Sequence, residues 1–178
     1  MINGCKLTII LVLALFVLSC RQQEFAQPSC RVNANFLSTH QGPGACVIKM
    51  NNKLLVTQLT SRLYDLPIAQ LSSNNEARFT SSQCLAHQGM WQQTGLNVEV
   101  QSVVGAQADG TWLFGCTVSA GFDGTEAPFD APPWSSPSVD KIAFVDPFEI
   151  DAHHWARKRQ FTIVRDAFIL RGVQADNR

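Results

Sequence analysis

The chain has 178 residues, of which 46% are hydrophobic and 16% charged, so it encodes one globular domain rather than two domains or a disordered segment. Lys plus Arg and Asp plus Glu both number 14, and no run of like charge occurs. That balance excludes the basic stripe of a nucleic-acid-binding module and any long-range attraction to an anionic bilayer.

In chain order, Lys6 precedes an apolar run from Leu7 to Leu18. About a dozen residues is short of the roughly 20 needed to span a bilayer core, and fits a signal-peptide core. Val17-Leu18-Ser19-Cys20 resembles the lipobox of bacterial lipoproteins, with Leu18 a less usual residue for its place. The resemblance implies cleavage after residue 19 and acylation of Cys20, with Arg21 favouring the outer membrane of a Gram-negative cell, the domain facing the periplasm. Acyl chains contribute about 0.8 kcal/mol per buried methylene, so two or three anchor firmly. In that oxidising compartment Cys30, Cys46, Cys84 and Cys116 are disulfide candidates. At least one pair is expected, and three connectivities stay open. Their spacing has no Cys-x-x-Cys and no close Cys/His pair, so no zinc site is expected.

Residues 20–43 read as the lipidated cysteine and a polar tether, 44–172 as the domain, and 173–178 as a tail. Ala45 to Met50 and Lys53 to Thr57, joined by Asn51-Asn52, predict a β-hairpin, because Asn tolerates positive φ. A short strand is expected over Arg62 to Leu66, stopped by Pro67, and a loop over Ser72 to Asn75. Ser81 to Thr94 reads as a helix, with Ser81 or Thr80 as N-cap and Gly95 as its stop. Leu96, Val98 and Val100 alternate with polar residues, as do Trp112, Phe114, Cys116 and Val118 with their neighbours, predicting strands buried on one face. Gly121 to Ser138 reads as a loop, Lys141 to Val145 as a strand, and Trp155 to Arg171 as a helix. The order strands, helix, strands, helix predicts an α/β (α+β) sandwich.

Trp91-Gln92-Gln93-Thr94-Gly95-Leu96, with the strand after it, resembles the end of a Nudix box. With the box's last glycine on Gly95, its first glycine falls on Asn74 and its first glutamate on Thr80. The box Arg falls on Gln88, the next Glu on Gly89, and the final Glu pair on Gln92 and Gln93. The hairpin from Gly44, Asp65-Leu66-Pro67 and the strand ending in Asp146-Pro147 also look like family features, so the resemblance runs from about Gly44 to Arg171. It implies a Nudix-type α/β/α sandwich, a mixed sheet with the box helix and a C-terminal helix packed on it.

In that family the box glutamates hold Mg²⁺ or Mn²⁺ for phosphoanhydride hydrolysis. A hard dication needs anionic oxygens to offset its dehydration. Gln92, Gln93, Thr80 and Gly89 supply none, so the resemblance implies a pseudoenzyme with no confident catalytic residue, no metal ligand and no cofactor. Asp65, Glu76 and Asp146 are the carboxylates that could rescue the site, and Asp140 and Glu149 could line the same region from other strands. Each reads first as a solvated or turn residue.

Other side chains are weaker candidates. His87 reads as a core or surface residue; His153 and His154, being adjacent, cannot chelate one ion together. Trp134 reads as packing under its own loop, with stacking on a ligand base the alternative. The leading expectation is a Nudix-fold envelope lipoprotein serving as a binding or interaction module for a nucleotide-like small molecule or an envelope protein. Alternatives are a metal-dependent hydrolase of nucleoside-diphosphate-type compounds and a purely structural lipoprotein.

Overall fold

The computed structural model describes residues 26–69 and 81–176. The signal segment 1–19, Cys20, Arg21, Asn74, Glu76 and Thr80 lie outside the described residues, as does the Ser72–Asn75 loop.

Strand β1 (Gly44–Val47) continues into β2 (Lys49–Met50), which turns back into β3 (Lys53–Leu59). Asn51 and Asn52 both take positive φ, 50° and 57°, as a tight two-residue hairpin turn requires. After β4 (Tyr64–Asp65) comes helix α1 (Ser82–Thr94). Its start is set by Ser81, whose side chain accepts from the Cys84 N–H, and its end by Gly95 at φ 71°. The helix is followed by β5 (Val98–Ala106), β6 (Trp112–Val118), β7 (Phe129–Asp130), β8 (Val139–Val145) and helix α2 (Phe161–Asp176).

The strands form two sheets. One is mixed, ordered β1-β6-β5, with β1 parallel and β5 antiparallel to β6. The other is ordered β2-β3-β8-β7, with β4 paired to β3. Alternate side chains of β1 and β3 feed two cores. Ala45, Val47, Leu54 and Val56 join Leu113, Trp155, Val164 and Phe168 on the α2 side. Cys46, Ile48 and Leu55 join Ala86, Met90, Phe114 and Ile142 on the α1 side. The result is the expected α/β/α sandwich.

Several expectations need correction. β6 is central, so both its faces are buried: Leu113 lies in one core, Phe114 and Cys116 in the other. In β5 a bulge between Val100 and Val103 breaks the alternation and buries Gln101 beside Val100. The loop over Gly121 to Ser138 contains the short strand β7. The second helix starts at Phe161 rather than Trp155, and runs to Asp176, so the tail expected from 173 is largely helical. Asp151 caps a single 3₁₀ turn, Ala152–His154, and Trp155 then takes an extended conformation, bridges Tyr64 and is fully buried.

The largest correction concerns the tether. From Cys30 onward it is a strap bound to the domain. Val32 bridges Val100 on the edge of β5, and His40 stacks on Trp112 at 3.6 Å between ring centroids. Gln83 of α1, 2% exposed, donates to the carbonyls of Phe36 and Gln101 and accepts from the Ser38 N–H. Two disulfides form, Cys30–Cys84 and Cys46–Cys116. Among the described residues no helix is long and apolar enough to cross a membrane.

Candidate functional site

Helical spacing sets Gln88 above Gln92 and Gly89 above Gln93 on one side of α1. Ile68 and Ala69, shortly after β4, lie directly against the Gly89–Gln93 row. A Cβ added at Gly89 would sit 2.4 Å from the Ala69 nitrogen and 2.7 Å from the Ile68 carbonyl carbon, closer than any side chain can approach backbone. One turn on, the Gln93 side-chain amide donates to the Ile68 carbonyl. Ile68 also bridges Ala45 of β1, so this segment is fixed to the sheet as well as to the helix. Leu66 and Ala69 are buried on either side of it.

The donor set on that row does not fit a hard dication. Gly89 offers no atom, and Gln93 is a neutral amide already bound to backbone. Gln88 and Gln92 are half-buried neutral amides.

The rescue carboxylates within the described residues are engaged elsewhere. Asp65 is gripped by Arg157: Nε lies 3.1 Å from both carboxylate oxygens and Nη2 2.7 Å from Oδ1. The Leu66 N–H adds a fourth contact at 2.9 Å. Burial pushes the Asp65 carboxyl above the usual range, against the pull of the guanidinium beside it. Arg157 also donates to Gln107 Oε1 at 3.1 Å and lies 3.8 Å from Asp109, which accepts from Gln160. Asp146 accepts from the Phe148 N–H at 2.8 Å, closing a turn after β8. Asp140 and Glu149 are exposed. Among the described residues no group of three or more His, Cys, Asp or Glu side chains is arranged to hold a metal ion.

Trp134 and His87 resolve into packing, and the His153–His154 pair into an exposed turn. Trp134 stacks on Trp91 with ring centroids 5.5 Å apart, and its indole N–H donates to the Trp91 carbonyl. Pro132 and Trp134 close over Gly95, so this loop covers the C-terminal end of the box helix. His87 is buried, with Nε2 3.0 Å from Asn97 Oδ1. Burial holds its pKa below the usual histidine value, aided by the nearby Arg31 charge and opposed by Asn97. His153 and His154 are exposed on their 3₁₀ turn, His153 paired with Asp151.

Arg157 and Gln83 organise this architecture and carry no motif that would single them out. An open depression of about 360 Å³ lies between strap residues 36–40 and Ser102 and Val103 of β5. Among the described residues, none of Gln88, Gly89, Gln92 and Gln93 lines it.

No protein-family profile and no curated protein matches the sequence. Solved structures do resemble the fold, and those compared are Nudix-type hydrolases. An ADP-ribose pyrophosphatase from Streptococcus suis superposes with a TM-score of 0.50 at 18% identity, over 70% of this chain and 89% of that one. A Nudix hydrolase from Nitrosomonas europaea gives 0.50 at 15% identity, over 71% and 87%. A UDP-X diphosphatase gives 0.50 at 11% identity over 75% of this chain, which spans 64% of that protein's length. At such identities the likeness establishes a Nudix-type fold and no activity.

Proposed function

We propose that this chain is a Nudix-fold envelope lipoprotein, anchored through Cys20 and facing the periplasm, that does not hydrolyse phosphoanhydrides. It acts instead as a binding or interaction module for a nucleotide-like small molecule or an envelope protein. One observation carries the loss of hydrolysis. The Gly89–Gln93 row, where two box glutamates would project, is neutral and lies against the Ile68–Ala69 backbone. A carboxylate introduced at position 89 would have to displace that segment from both sheet and helix.

The hydrolase alternative needs relocated carboxylates. Within the described residues its nearest candidate, Asp65, is bound by Arg157 on two edges. A purely structural lipoprotein has one observation in its favour: Trp134 and Pro132 pack over the end of the box helix.

Calorimetry of Mg²⁺ and Mn²⁺ binding to the soluble part of the chain, residues 21–178, with and without a non-hydrolysable ADP-ribose analogue, separates the readings. The expected result is no metal binding in the micromolar range and no turnover of ADP-ribose. Micromolar metal binding abolished by Glu76→Gln or Asp146→Asn would overturn the proposal and restore the hydrolase. Metal-free binding of the analogue would identify the module's ligand class, and none would favour an envelope protein or a structural role.

A further inference from the structure

The two disulfides occupy opposite environments. Cys46 and Cys116 are each 1% exposed and belong to the α1-side core. Cys30 is exposed, Cys84 is half-buried, and their bond ties the strap to the first turn of α1. A reductant's thiolate must approach a sulfur closely, so access separates these bonds before any chemistry does.

Little else holds the strap upstream of Phe36. Asn33 N–H donates to the Val100 carbonyl, and the Val100 N–H to the Arg31 carbonyl, both at 2.9 Å. Asn33 donates to Glu99 at 2.9 Å and Arg31 to Ser119 at 2.8 Å. No side chain of residues 26–36 is fully buried, and the single apolar anchor between Cys30 and Phe36 is Val32, which packs half-buried against the α1-side core. Each such hydrogen bond, made at the edge of the sheet in competition with water, contributes little net stability, so this part of the strap frays without a covalent tie. Beyond Phe36 the Gln83 contacts and the His40–Trp112 stack hold it independently.

Cys84 is also a good leaving group. It is the third residue of α1, its N–H bonded to Ser81 Oγ, and the first turn contains no acidic residue. A thiolate formed there is stabilised by the helix N-terminus, and a better-stabilised thiolate leaves faster.

We propose that Cys30–Cys84 is a reducible clasp, a substrate for a dithiol oxidoreductase, whose opening releases residues 30–35 and uncovers the edge of β5 at Val100. One thiolate of the reductant attacks Cys30 Sγ, forming a mixed disulfide and expelling the Cys84 thiolate. The reductant's second thiolate attacks its own sulfur in that mixed disulfide, closing its disulfide and releasing the Cys30 thiolate. Two electrons pass from dithiol to clasp, and the thiolates take up protons from water. The Val100 N–H and C=O then form an unpaired strand edge, available for strand addition.

The test exposes the natively folded mature protein to graded dithiothreitol, and separately to a reduced thioredoxin-type protein. Alkylation with mass mapping and amide hydrogen exchange follow. Cys30 and Cys84 should become alkylated at reductant levels at least about tenfold below those needed for Cys46 and Cys116. Protection should fall at residues 31–33 and Val100 while β6 stays protected. Simultaneous labelling of all four cysteines, or unchanged Val100 protection once Cys30 and Cys84 are alkylated, would overturn the clasp. The Cys30→Ser/Cys84→Ser variant should show the same loss of protection without reductant; retained protection in it would overturn the proposal equally.

Discussion

The Gln93 side-chain amide donates to the Ile68 carbonyl one helical turn below the point where Gly89 meets the Ala69 nitrogen. Helix α1 and residues 68–69 are therefore in contact along the Gly89–Gln93 row. On the proposed reading, charges introduced on this row do not by themselves create a metal site. Gln92→Glu with Gln93→Glu should leave Mg²⁺ binding undetectable in the micromolar range by calorimetry. Gly89→Glu should lower stability by about 1–3 kcal/mol, the usual cost of overpacking, seen as a shifted urea midpoint.

Gln83 joins three parts of the chain through one buried amide. Gln83→Leu keeps most of the volume but strands the Ser38 N–H and the Phe36 and Gln101 carbonyls. A loss of about 1–3 kcal/mol is expected in urea unfolding, with faster amide exchange at Ser38. A wild-type midpoint would show that water replaces the amide at little cost.

The Asp65–Arg157 pair is partly exposed, 19% and 25% by side chain, which places it between a surface and a buried ion pair. Asp65→Ala should cost about 1–3 kcal/mol, because Arg157 loses its main partner. Arg157→Lys should cost part of that, since lysine cannot make the forked contact. A double-mutant cycle measures the coupling. If Asp65 serves structure rather than a metal, Asp65→Asn lowers stability and leaves any response to Mg²⁺ or Mn²⁺ unchanged.

His87 predicts an acid-sensitive fold. Burial lowers its folded-state pKa below the ordinary histidine value of 6.5, so the unfolded chain binds a proton that the folded chain resists. Its contribution is therefore complete above pH 6.5 and is lost as pH falls below that value. Urea midpoints measured between pH 7.5 and 5.5 should decline for the wild type. The decline should be shallower in His87→Gln, provided the amide keeps the contact to Asn97.

Part of this architecture is legible along the chain because its causes are local. Asn51-Asn52 marks a turn since both residues accept positive φ, and Ser81 and Gly95 mark the ends of α1 since a free hydroxyl and a left-handed glycine satisfy the helix termini. The helix itself is less legible as a packed element. Ser82, Gln83 and His87 are buried beside Leu85, Ala86 and Met90, because strap, sheet and the residue 68–69 segment cover it from several sides. No single apolar stripe results. β6 departs from a one-faced strand for the same reason, burial on a second face by elements distant in sequence, whereas Trp155 lies outside the helix because its extended backbone bridges Tyr64.

The sequence by itself determined the hairpin, the caps of α1 and the uncharged Gln88, Gly89, Gln92 and Gln93 on that helix, since these follow from the φ tolerance, hydroxyl or charge of a few adjacent residues. Only the tertiary structure decided which cysteines pair, across 54 and 70 residues, and that Asp65 meets Arg157 across 92. It alone turned the apparent tether into a strap and brought Ala69 against Gly89. Those contacts depend on sheet order and strand register, which sum weak preferences over the whole domain, so no local pattern in the chain carries them.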